Sequence, residues 1–253
     1  MSEHWYDFKG DPVYTIIGKN KKERPTTLRD ARKLFYVPSV TGILGMAAKP
    51  ALENWKIDQA IGAALTLERL ENESDAQFLY RVKTDSKEQG LKAAERGSEI
   101  HAEIERGFEG KESDTYLAVK KHINSIFPHE HWLAESSFCS ILGYGGKIDL
   151  YSESGIFIDF KTKDNLEGKK AKSLVYPEHG MQLSSYAAGM RVENPIRVSI
   201  FIDRSNTELI ISHVWDVDSH EKHKEMFFSL LNYWKLLKDF NITEQLIKLK
   251  KEK

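Results

Sequence analysis

Apolar and polar positions follow two periods along this chain, and each change of period marks an element. Residues 143 to 163, GYGGKIDLYSESGIFIDFKTK, read as two short strands: apolar runs flank the polar break SESG, with Gly155 in the turn. HWLAESSFCSIL is a strand ahead of this hairpin, and IRVSIFID and ELIISHVWD form a second hairpin around RSNT. Helical spacing governs most of the rest. In ALENWKIDQAIGAALTLERL, Leu52, Trp55, Gln59 and Ala63 share one face. The polar stretch from 71 to 89 is expected to be exposed and helical only in part. Helices follow over 91 to 108 and 114 to 127; Pro177 opens another, and an amphipathic one spans 219 to 240. Residues 1 to 37 are expected to be irregular, with a strand at 13 to 17 and a basic turn at 19 to 24. LIKLKKEK reads as a frayed basic tail.

The order helix, three strands, helix, two strands, helix fits an α/β fold, one mixed sheet with helices on both faces. No repeat or linker divides the 253 residues, so a single domain is expected, and 40% hydrophobic residues suffice for a substantial core. Cys139 is the sole cysteine, which excludes an internal disulfide and a cysteine-held metal centre; its place in a strand makes it a core residue. No apolar run approaches the ~20 residues of a membrane span and MSEHWYDFKGD has no apolar signal region, so a cytoplasmic protein is expected. A net charge of −1 is far from that of proteins that coat duplex DNA, although a local basic channel stays compatible with it.

Candidate chemistry sits on the first hairpin. Side chains two apart on a strand point the same way, so Asp159 and Lys161 project together, and the hairpin brings Asp149 toward them. Two carboxylates and an ammonium on one face are costly to desolvate unless a cation and an anion join them; a Mg²⁺ ion and a phosphate would satisfy all three. The plain alternative is a surface salt-bridge cluster. In RGSEIHAEIE, Gly97, His101 and Glu105 lie four apart on one helix face, as do Gln182 and Tyr186 in MQLSSYAAGM; ordinary helix packing is the alternative for both. His129 with His131, and His220 with His223, have spacings that suit zinc but no cysteine or third ligand. GYGGK lacks the spacing of a phosphate loop, and no Gly-x-Ser-x-Gly element is present.

Taken in order, Gly97-xxx-His101, Gly146-xx-Asp149, Asp159-x-Lys161 and Gln182-xxx-Tyr186 resemble the RecB-like branch of the PD-(D/E)XK nucleases over residues 91 to 191. The second hairpin and the opening PSVTGIL…KPAL..W are similar to phage exonucleases of that branch and to the mitochondrial genome maintenance exonuclease. Asp159 stands where glutamate is commoner, Ile148 where a proline often precedes the aspartate, and no cysteine cluster supplies an iron–sulfur staple.

The resemblance implies a restriction-endonuclease-like sheet over 91 to 240, an N-terminal helical elaboration over 1 to 90 and a basic tail over 241 to 253. It implies a Mg²⁺- or Mn²⁺-dependent exodeoxyribonuclease acting on DNA ends or single strands in recombination, replication or repair, of phage origin. Asp149, Asp159 and Lys161 would be catalytic. His101, Asp149, Asp159 and the backbone carbonyl of Phe160 would hold the metal, and Gln182 and Tyr186 would contact substrate. Glu135 would serve a second metal or a metal-bound water, with Glu105 beside His101. The N-terminal helices would cap the cleft, with Lys49, Trp55, Lys56 and Arg69 facing a single strand, and the lysine-rich loop 163 to 172 would add phosphate contacts. Two other readings stay open: a structure-specific endonuclease of the same fold, and a non-catalytic DNA-binding assembly partner. Oligomeric state is not legible.

Overall fold

Alternation of apolar residues builds both expected hairpins, and the helices cover them on two sides. In the computed structural model, which describes residues 4 to 251, the elements run as follows. The N-terminal part holds β1 (Trp5–Tyr6), β2 (Thr15–Ile17), β3 (Glu23–Pro25), α1 (Leu28–Leu34), β4 (Val37–Pro38), α2 (Val40–Leu44), α3 (Pro50–Thr66), α4 (Asp75–Phe108) and α5 (Asp114–Ile126). Then come β5 (Leu133–Ser140), β6 (Tyr144–Ser152), β7 (Ile156–Lys163), α6 (Pro177–Met190), β8 (Ile196–Asp203), β9 (Ile210–Val214), α7 (Ser219–Leu237) and α8 (Thr243–Lys251).

The central sheet has the order β5-β6-β7-β8-β9. Its neighbours are antiparallel except β7 and β8, which pair in parallel from Ile156↔Ile196 to Lys163↔Asp203. A parallel pair needs a long crossover, and α6 supplies it. One face carries Leu150, Ile158, Phe160, Val198 and Ile200 against Ile100 and Ile104 of α4 and Val119 and Ile123 of α5. The other carries Phe138, Tyr144, Ile148 and Phe157 against Leu183 and Tyr186 of α6 and Phe227 and Trp234 of α7. The fold is thus α/β, with a mixed sheet flanked by helices.

Several expectations are corrected. Residues 4 to 37 are not irregular: β1 pairs with β4, and Trp5, Tyr6 and Val37 are buried in the larger core. Arg24 lies in β3 rather than in a turn, and α1 is closed by a reciprocal cap between Thr27 and Asp30. The polar stretch after 71 is helical from Asp75 on, started by the Ser74–Gln77 capping box, and runs unbroken to Phe108 across the expected limit at residue 90. Helix α7 ends at Leu237 rather than at 240. The C-terminal run is not frayed: it forms α8, whose Leu246 is wholly buried. Residues 1 to 3 and 252 to 253 of the expected termini lie outside the described residues. Among the described residues, no helix is long and apolar enough to cross a membrane.

Candidate active site

Close approach of α4 to β7 positions the first side chain. A Cβ on Gly97 would fall 2.8 Å from Thr162 Oγ1, so glycine lets the helix lie this near the strand without displacing that hydroxyl. One turn further, His101 Nδ1 is 3.7 Å from Asp149 Oδ2, and the ring meets Phe160 edge-on at 6.2 Å.

Asp149 stands where the β-ribbon changes character. The β6–β7 ladder runs from Ser152↔Ile156 to Leu150↔Ile158 and stops there. Beyond it Asp149 Oδ2 accepts the Phe160 N–H at 2.8 Å, taking the place of a ladder bond. Side-chain alternation also slips: Ile148 packs on the α6 face, Leu150 on the α4–α5 face. Directly across, Glu135 of β5 has φ of 54°, a left-handed backbone that costs a non-glycine residue on the order of 1 kcal/mol or more. The β5–β6 ladder passes from Ala134↔Leu150 to Ser136↔Ile148 without pairing these two residues.

Asp159 is buried, with 1% of its surface exposed. Its Oδ1 accepts from Gln182 Nε2 at 2.7 Å, while Lys161 Nζ lies 2.5 Å from Oδ2. Among the described residues, that close ion pair is the one polar contact of Oδ2, which is otherwise buried. Lys161 also donates to Gln182 Oε1 at 3.2 Å, and Gln182 Nε2 reaches Tyr186 Oη at 2.9 Å. Both ends of the Gln182 amide are therefore engaged. Burial pushes the Asp159 carboxyl up to about 6; the Lys161 ammonium opposes the rise and Asp149 adds to it. Burial, then Asp159 and Asp149, hold the Tyr186 phenol neutral, well above its ordinary value. The Tyr186 ring fills the space a Cβ on Gly146 would need, 2.8 Å from Cε1.

Among the described residues, no three His, Cys, Asp or Glu side chains are gathered tightly enough to enclose an ion. The donor set nevertheless fits a hard divalent cation: two carboxylates with an imidazole at the side, one of them buried and held by a single close lysine contact at Oδ2. Of Phe160, the N–H is the group engaged, by Asp149.

Glu135 and Glu105 join a different lysine. Lys147 Nζ pairs closely with Glu135 and lies 3.8 Å from Glu105. Trp55 is 37% exposed, packs its ring edge toward Gly90 of α4, and faces a cleft of about 1420 Å³. Lys49, Lys163 and Lys169 line the same cleft. Lys56 and Arg69 are instead paired on the surface, with Glu53 and Asp75, both at 2.7 Å. His220 and His223 are buried about Ser184 and Arg197, and His129 and His131 are exposed. Burial raises the Cys139 thiol to about 11, consistent with a core residue.

Two residues beside the site escaped sequence reading, Lys147 and His179, while Lys163, expected to open the lysine-rich loop, is the last residue of β7. Lys163 was legible, because it continues the alternation Asp159, Lys161, Lys163. His179 lies one helical turn before Gln182 and Leu183, so helical spacing also marks it. Lys147 becomes notable only once Glu105 of α4 and Glu135 of β5 are known to flank it.

No protein-family model matches the chain, and no curated protein matches it. Three solved structures overlay on it loosely. An alkaline exonuclease from Laribacter hongkongensis is 14% identical, with a TM-score of 0.39, covering 78% of this chain and 99% of that one. The same enzyme in complex with dAMP gives 12% identity, a TM-score of 0.40 and coverage of 83% and 91%. SSO0001 gives 15%, 0.28 and coverage of 72% and 86%.

Proposed function

We propose that the chain is a divalent-metal-dependent deoxyribonuclease of the RecB-like PD-(D/E)XK type, and specifically an exonuclease acting on DNA ends or single strands. Replication, recombination or repair is the setting the resemblance implies. One observation carries this reading. Residues singled out on four separate elements meet around a buried carboxylate paired with Lys161, whose pKa burial raises to about 6. A salt-bridge cluster on a surface hairpin would instead be solvated and unperturbed.

Asp149 and Asp159 would hold the ion, with His101 beside them. When bound, a divalent ion supplies a water of lowered pKa and a counter-charge for the phosphorane-like transition state. Lys161 orients the attacking water and offsets charge on the scissile phosphate. Gln182 fixes the Asp159 and Lys161 side chains relative to each other, and Tyr186 fixes Gln182. These two are positioning groups in this reading, one step back from direct substrate contact. The Asp149 contact to the Phe160 N–H locks the two strands at the reacting end.

The test is digestion of end-labelled linear DNA and closed-circular single-stranded DNA with Mn²⁺, Mg²⁺ or EDTA. The expected result is loss of linear substrate with either metal, none with EDTA, intact circles, and no cleavage by Lys161→Ala. Wild-type rates in Lys161→Ala overturn the site assignment. Cut circles would turn the reading to an endonuclease, and binding without cleavage to a DNA-binding partner.

A further inference from the structure

The cleft beside the site holds charges that this chemistry leaves unused. Strand β7 carries Lys163 two positions beyond Lys161, about 6.8 Å along the strand and on the same face. Lys163 is half-buried, with Nζ 5.1 Å above the Tyr176 ring. Among the described residues, no carboxylate comes within ion-pair distance of it. Glu178 is the acidic group that faces it, while Arg204, Lys161 and Lys169 surround it with like charge. Burial and these cations hold the Lys163 ammonium below its ordinary value.

A second residue reads the same field. His179, in the first turn of α6, is buried and faces Lys161, Lys163 and Lys49. Burial, then those three cations, push its imidazole down to about 3, so the ring is neutral. Its Nδ1 accepts the Tyr176 N–H at 3.4 Å, which leaves the proton on Nε2. Arg204, by contrast, is neutralised by Asp164. Half-buried cations with one distant acid are unfavourable until an anion joins them.

We propose that Lys163 and Lys49, with His179 between them, form a phosphate subsite that holds the phosphodiester next to the one being cut. This rests on the nuclease reading above. The two-residue repeat from Lys161 to Lys163 resembles the spacing of successive phosphates along an extended strand. Trp55 lines the same cleft and is 37% exposed, an aromatic surface for an unpaired base, so the occupant is a single strand rather than a duplex.

The experiment is binding of a fluorescent single-stranded oligodeoxynucleotide in EDTA, repeated over a range of KCl concentrations. Wild type, Lys163→Gln, Lys163→Arg and Lys49→Gln are compared, with melting curves for each. The slope of log K against log salt should flatten by about 0.7 in each glutamine variant, the change expected for one lost single-strand phosphate contact. Lys163→Arg should keep the wild-type slope, and a duplex of equal length should bind more weakly than the single strand. Unchanged slopes in both folded glutamine variants, stronger duplex binding, or no binding by the wild type would overturn the subsite. If Lys163→Gln fails to fold, Lys49→Gln on a different element decides. Since no metal is present, the outcome is separable from cleavage. A chain that binds with the expected slopes but never cuts sinks the nuclease reading alone, and one that cuts with unchanged slopes sinks the subsite alone.

Discussion

Helix α6 serves two buried charges, Asp159 through Gln182 and Arg197 through Ser184, and they are built to different ends. Arg197 of β8 is fully buried and donates to Ser184 Oγ at 2.9 Å, to the Asp216 carbonyl at 2.6 Å and to Ser219 Oγ at 3.0 Å, with His223 Nδ1 at 3.3 Å. Burial lowers its pKa only to about 10, so it stays charged at neutral pH. Its partners are neutral and anchored on backbone or short side chains. Asp159 has a charged partner, the partly exposed Lys161 ammonium, and a pKa of about 6. Each cluster has one buried polar atom outside the hydrogen-bond pattern, Arg197 Nε and Asp159 Oδ2, the latter held by its ion pair with Lys161. An orphan atom is therefore a poor marker of function by itself. Titration near neutral pH, beside a cleft lined with unneutralised lysines, separates the second cluster from the first.

Breaking each cluster should separate activity from stability. The largest effect expected is on cleavage: Asp159→Asn should lower the rate with Mn²⁺ by 10³-fold or more, about 4 kcal/mol in barrier, in single-turnover digestion. Activity within tenfold of wild type would remove Asp159 from the site. Next, Arg197→Met should cost about 3 kcal/mol in urea unfolding, because it strands the acceptors around Ser184, while cleavage per folded molecule is kept. Melting that matches the wild type would make the Arg197 cluster dispensable. The same cluster predicts an acid limb. Burial and Arg197 depress His223 to about 4, so its contribution to stability is full above its ordinary value near 6.5 and is lost as pH falls toward 4.

A smaller effect has the opposite sign. The raised pKa of Asp159 means that the fold penalises its ionised form. That penalty is absent below the ordinary carboxylate range, grows as pH rises to about 6 and is constant above. Asp159→Asn should therefore stabilise the metal-free protein at neutral pH by on the order of 1–2 kcal/mol, after allowance for the lost Lys161 pairing, and by nothing near pH 4. A melting temperature that drops at neutral pH would contradict the burial penalty. Smallest is Tyr186→Phe, which removes one hydrogen bond to Gln182 and should cost about 1 kcal/mol of stability and up to tenfold in rate.

What the sequence disclosed follows from how local each signal is. The hairpin with Asp149, Asp159 and Lys161 was legible because period-two alternation and a four-residue turn specify it within 21 residues. His101 and Tyr186 followed from helical spacing. The β1–β4 pair was not legible, since two-residue strands 32 positions apart carry no periodic signal of their own. The start of helix α4 is not legible because residues 75 to 89 are largely exposed: Leu79 and Tyr80 face solvent while Val82 is buried, so the apolar positions trace no single buried stripe. Helix α8 hides one buried leucine among lysines. The slipped alternation at Asp149 runs against the very rule used to read strands. No single-sequence pattern could have placed Glu135 opposite it in a left-handed turn.

The uninterrupted course of α4 has a mechanical consequence. Thirty-four residues at 1.5 Å each make a rod about 51 Å long, with the Trp55 shelf resting near its middle and His101 near its inner end. An arm mounted on such a rod has no joint between it and the histidine. Whatever tilts the outer half must either bend a regular helix or shift the imidazole's own anchorage at Gly97.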